Sequence, residues 1–123
     1  MNVIGISEGF HDAAMCIISD RKIIHASQSE RYSGVKNDKW IHPSQWPKSN
    51  NYQPDVVAYY EKPFRKNLRR LWAGQSWETP RVKYDYSFSH HESHAAAGYY
   101  TSPFNECNIL VIDAIGEWDT ISI

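Results

Sequence analysis

A chain of 123 residues with 41% hydrophobic and 22% charged residues has the size and composition of one folded domain, and a disordered segment is excluded. With 13 Lys and Arg against 14 Asp and Glu the formal charge is -1, so there is no overall positive field for nucleic acid or an anionic membrane. No apolar run approaches the roughly 20 residues of a membrane span and the N-terminus has no signal-peptide pattern, so no nucleic-acid or membrane partner is expected and the expected compartment is the cytoplasm.

In chain order, "NVIGIS" and "AAMCIIS" are short apolar runs rich in β-branched residues around the turn-like "EGFHD", which predicts a hairpin. "KIIHASQSE" follows the polar turn "DR" as a third strand. From residue 34 to 54 the composition turns to Trp, Pro, Asn, Ser and Lys without periodicity, predicting an irregular loop with at most one short helical turn. Loops of that length tend to be functional or mobile. "DVVAYY" is a fourth strand ending at "EKP", and "FRKNLRRLW" is a helix whose basic run reads as a solvated face rather than a phosphate groove. "VKYDYSF" is a fifth strand. "CNILVID", apolar at successive positions, is a sixth, expected to be buried on both faces, and "EWDTISI" returns as a seventh. Cys16 and Cys107 sit in apolar strand-like runs without zinc-type spacing, which predicts buried free thiols. The whole reads as one α/β domain over 1–123, a mixed sheet that opens with three antiparallel strands and is layered with helices.

Between the fifth and sixth strands, "SHHESHAAA" holds three of the six histidines. Ser89 followed three places later by Glu92, just before the helix-forming "HAAAGYY", is a capping-box arrangement, so Ser89 is the predicted N-cap of a helix that runs toward Pro103. Glu92 is then structural. His90 and His94, four residues apart, share one face and can reach one ion, while His91 points elsewhere. The positive end of the helix dipole disfavours imidazolium there and keeps the rings neutral, as metal ligands must be. The zincin pattern His-Glu-x-x-His is not met, because Ala95 stands where its second ligand would be. Two readings stay open: histidines that solvate a helix start, or a metal pair.

Asp113, at the carboxyl end of the sixth strand, is where ligand sites of open α/β sheets lie, and a buried-strand aspartate needs a partner. It either completes a site with His90 and His94 or caps the following turn. In the first hairpin turn, His11 and Asp12 offer either a general acid or base or a turn stabilised by the aspartate.

The stretches "IGIS-GFHDAAMCIISDRKIIHASQSERYS", "YYEKP" and "HHESHAAAGYYTSPFNECNILVIDAIGEWDT" resemble the nodulation and antibiotic-tailoring O-carbamoyltransferases. The resemblance implies the incomplete first lobe of an actin-like ATPase and sugar-kinase (ribonuclease H-like) fold. It implies ATP-dependent transfer of a carbamoyl group from carbamoyl phosphate, through carbamoyl-adenylate, to a hydroxyl of a sugar or antibiotic. It further implies a divalent metal, Fe2+ first and Zn2+ or Mn2+ as alternatives, on His90, His94 and Asp113, with His11 as catalytic base and Lys36 near the substrate. Where the family has "ERFTRKKH" this chain has "ERYSGVKN", so Gly34 and Val35 replace two basic residues, and Ala114 replaces a glycine after the metal aspartate. The family continues for hundreds of residues, so a C-terminal lobe or partner chain is expected, and the 123-residue chain alone is expected to be inactive. Two other readings are a tRNA threonylcarbamoyl-type metal-dependent transferase and a non-catalytic binding or assembly module.

Overall fold

Alternation in the first two runs places isoleucines on one face of a sheet, and strand pairing sets them side by side. In the computed structural model, which describes residues 1–49 and 52–123, β1 (Asn2–Ser7) pairs antiparallel with β2 (Ala14–Ser19), joining Ile4 to Ile17 and Ile6 to Met15. On its other side β1 runs parallel to β4 (Val56–Tyr59), joining Ile4 to Val57 and Ile6 to Tyr59. These six side chains are buried and share a face, so they form one apolar layer. β3 (Lys22–Gln28) adds antiparallel to β2 through a two-residue turn in which Asp20 and Arg21 both have positive φ, the geometry that matches strand twist in tight hairpins.

The sheet order is β3-β2-β1-β4-β5, a mixed sheet opened by three antiparallel strands as expected. β5 is only Tyr86–Ser87, far shorter than the predicted "VKYDYSF". The reason is Asp85: its amide donates to the Val57 carbonyl, but its carboxylate accepts the Val57 amide at 2.8 Å and takes the place of a ladder carbonyl. The contacts divide the chain into two compact units. Unit 1 is Met1–Tyr59 with Glu78–Ser87 and contains the five-stranded sheet; unit 2 is Tyr60–Trp77 with Phe88–Ile123.

In unit 1 the short helix α1 (Glu30–Ser33) was not expected from the sequence. Gly34 ends it in the left-handed region, φ 70°, and its amide closes on the Glu30 carbonyl. Glycine takes this left-handed backbone without the steric cost that a side chain meets there. The predicted loop 34–54 includes a 3-10 turn at Pro43–Gln45, pinned by the buried Ser29–Gln45 hydrogen bond; Asn50 and Asn51, within that loop, lie outside the described residues.

Unit 2 holds α2 (Pro63–Trp72), α3 (His90–Tyr100) and a hairpin of β6 (Val111–Gly116) and β7 (Asp119–Ser122). Three expectations need correction here. β6 begins at Val111 and pairs with β7 alone among the described residues; Val111 is buried but Ile112 is 69% exposed, so the strand is not covered on both faces. Cys107, short of that strand, is exposed, whereas Cys16 is half-buried and its desolvated thiol is pushed up in pKa. The basic helix is not simply a solvated face. Lys66 is buried against Glu61, Arg69 donates to the Glu117 carbonyl at 2.8 Å, and it is Phe64, Leu68, Leu71 and Trp72 that face outward. Among the described residues no helix is long and apolar enough to cross a membrane.

Candidate metal centre

The helix that carries the histidines starts where the sequence places it. Ser89 Oγ accepts the Glu92 amide and Glu92 accepts the Ser89 amide at 2.7 Å, a reciprocal capping box. That bond, with the Ser89 hydroxyl and then weaker attraction to Lys62 and Arg65, holds the Glu92 carboxyl below its ordinary pKa. Glu92 is thus occupied in capping. One turn apart on this helix, His90 and His94 bring their Nε2 atoms to 3.0 Å. Asp113 Oδ2, delivered by β6, lies 2.7 Å from His90 Nε2 and 3.6 Å from His94 Nε2. His90 and Asp113 are partly buried, whereas the His94 side chain is 56% exposed, so the cluster is most open on the His94 side.

The chemistry of this donor set bears on what it can hold. A proton on His90 Nε2 can bridge to Asp113 or to His94, but one proton cannot satisfy all three pairs at once. A cation at their common point does, and all three ligand atoms lie within 4.8 Å of one another. Two imidazoles and a carboxylate suit iron, zinc or manganese, with coordination positions left over. The residues present therefore fit a divalent transition metal.

His91, between the two, behaves as the spacing predicts. Its ring is buried, its Nδ1 is 2.6 Å from Ser122 Oγ on β7, and among the described residues its Nε2 has no hydrogen-bond partner. It ties the helix to the hairpin instead of joining the cluster. Around His90 the edge of Tyr60 packs at 5.8 Å, and Ser93 Oγ donates to the Tyr60 carbonyl. At the hairpin tip Glu117, with φ 45°, is buried and accepts the Lys62 amide at 2.6 Å, which caps α2 from a distance. Tyr60, Glu117 and Ser122 were not singled out from the sequence. The acid in the tight "IGEW" turn was the one available signal. Ala114 lies within β6 and the left-handed residue is Glu117, so the missing glycine crowds no turn at 114.

The other two expected site residues belong to unit 1. His11 sits in the β1–β2 turn with its Nδ1 2.7 Å from Asp12 Oδ2. Lys36 is exposed on the turn that follows α1, where the Asp38 amide closes on the Val35 carbonyl. The turn bearing His11 is firmly anchored. Gly9 and Ala13 donate to the Lys39 and Asp38 carbonyls, each at 2.7 Å, and buried Glu8 accepts the Arg81 and Val82 amides at 2.8 and 2.9 Å. Glu8 also escaped the sequence reading, although a carboxylate set between two strands was its signal.

The chain is 26% identical to an uncharacterized protein, sll1178, of Synechocystis sp., in an alignment of 171 positions covering 99% of this chain and 27% of the relative. The alignment is longer than the chain, so it opens gaps in this sequence, and the chain spans about a quarter of the relative's length. Residues 48–123, which include α2, α3 and the β6–β7 hairpin, match the family described as carbamoyltransferase N-terminus. With that match over more than half its length, the chain belongs to the carbamoyltransferase N-terminal family.

Proposed function

We propose that this chain serves as the N-terminal part of an O-carbamoyltransferase in which His90, His94 and Asp113 hold a divalent metal, Fe2+ before Zn2+ or Mn2+. The observation that carries the reading is the meeting of His90, His94 and Asp113 within a chain of this family. The sheet order, three antiparallel strands continued by two parallel ones, supports the first lobe of an actin-like ATPase fold.

The transfer proposed runs from carbamoyl phosphate, activated with ATP as carbamoyl-adenylate, to a hydroxyl of a sugar or antibiotic-like acceptor. A carbamoyl carbonyl is a poor electrophile, and the metal, when bound, supplies Lewis-acid polarisation. His94, the exposed ligand, borders the open side through which substrate reaches the centre. His90 and Asp113 are held by α3, β6 and the packing of Tyr60, so their donor atoms are preorganised. His11 removes the proton of the acceptor hydroxyl, and Lys36, cationic and exposed, meets the anionic part of the donor. A C-terminal lobe or partner chain completes the nucleotide site.

Elemental analysis of folded protein reconstituted separately with iron, zinc and manganese tests the centre. Wild type is expected to retain about one equivalent, His90→Ala and His94→Ala to lose it, and His91→Ala to keep it. Retention by both His90→Ala and His94→Ala, or loss in His91→Ala alone, overturns the assignment.

A further inference from the structure

In the turn that carries His11, the next residue bends back upon it. Asp12 has φ 53°, a left-handed conformation that aspartate tolerates better than most residues, and it brings Asp12 Oδ2 to 2.7 Å from His11 Nδ1. Without that twist, adjacent side chains in an extended segment point to opposite sides. The ring is also restrained by Phe10, whose centroid lies 4.5 Å from that of His11. Two backbone hydrogen bonds, from Gly9 and from Ala13, clamp the turn before and after the pair.

We propose that Asp12 is a positioning residue that holds neutral His11 as the Nδ1–H tautomer and so presents Nε2 as the proton acceptor. A carboxylate facing Nδ1 accepts a hydrogen bond only from the form that carries its hydrogen there, and the second nitrogen then keeps its lone pair. The His11 side chain is 56% exposed, so Nε2 is open to an acceptor hydroxyl. This inference rests on the reading of His11 as the base. In that step Nε2 takes the hydroxyl proton while the oxygen's electron pair forms the bond to the carbamoyl carbon. The phosphate-type leaving group departs with the electrons of the bond that breaks. The imidazolium then bears hydrogens on both nitrogens, and Asp12 faces the one on Nδ1.

The test pairs imidazole nitrogen NMR with kinetics of carbamoyl transfer, both on the protein with its completing C-terminal lobe or partner chain, in wild type, Asp12→Gly, Asp12→Asn and His11→Ala. Gly and Asn both accept a left-handed backbone, so the turn is kept while the carboxylate is removed. Wild-type His11 is expected in the Nδ1–H form, with both variants shifted toward Nε2–H and kcat lowered about 10- to 10³-fold at a KM within about 3-fold of wild type. Wild-type His11 in the Nε2–H form, or Asp12→Gly with unchanged tautomer and unchanged kcat, overturns the inference. A tautomer shift as expected, combined with full activity in His11→Ala, overturns the base role of His11 instead.

Discussion

His90 and His91 are neighbours in sequence with opposite tasks, because a helix turns about 100° per residue. His90 meets Asp113, while His91 is buried against Ser122. His91→Ala removes a buried ring and leaves the Ser122 hydroxyl without that partner, at an expected cost of about 2–4 kcal/mol. His91→Asn, which can still reach the hydroxyl, is expected to cost less, and urea unfolding of the two variants measures the difference. Lys36 sits at the other extreme. It is exposed, so Lys36→Ala is expected to leave the unfolding free energy within about 0.5 kcal/mol of wild type while raising the KM for the carbamoyl donor. A stability loss well beyond that value, with KM unchanged, makes Lys36 structural.

At the scale of elements, α3 depends on its cap and α2 on a carboxylate from another element. The Glu92 carboxyl titrates below its ordinary value of 4.5 in the folded chain, first because it accepts the Ser89 amide. A depressed folded pKa contributes stability that is fully present above the unfolded value and is lost as pH falls through the folded one. The start of α3 is therefore expected to fray in acid below about 4.5. Glu92→Gln, which keeps an acceptor but does not titrate, is expected to remove that pH dependence, read by amide exchange at Ser89. In α2 the apolar residues Phe64, Leu68, Leu71 and Trp72 face out because Lys66, Arg69 and the N-terminal amide at Lys62 are engaged by Glu61 and Glu117. Glu117→Ala is expected to destabilise unit 2 by about 1–3 kcal/mol, since the Lys62 amide loses its acceptor. A change of less than about 0.5 kcal/mol in its unfolding counts against this capping role.

At the scale of the molecule, each unit is built from chain segments that are not contiguous in sequence, so each needs contacts that join distant residues. In unit 1, beside the β4–β5 pairing, one such contact is Glu8, 1% exposed, whose carboxylate accepts amides 73 and 74 residues away. Glu8→Ala leaves two amides without this acceptor and is expected to cost about 2–4 kcal/mol, with faster exchange at Arg81 and Val82. In unit 2 metal at about 100 times its Kd is expected to add about 2.7 kcal/mol of stability. A rise in melting temperature for wild type and none for His90→Ala checks that linkage.

Periodicity and capping are local, so the sequence by itself determined β1 to β4, the course of α2 and the start of α3 at Ser89. The same spacing set His90 with His94 and kept His91 apart. What lay beyond it were decisions made by partners far along the chain. Asp85 shortened β5 by binding Val57, 28 residues away, and Glu117 drew the basic side of α2 inward from 55 residues away. Asp113 was legible as a candidate, yet a local pattern leaves a ligand and a turn cap equally open. Only the folding of β6 beside α3 brought its carboxylate to 2.7 Å from His90, because proximity between residues 23 positions apart is a property of the tertiary structure.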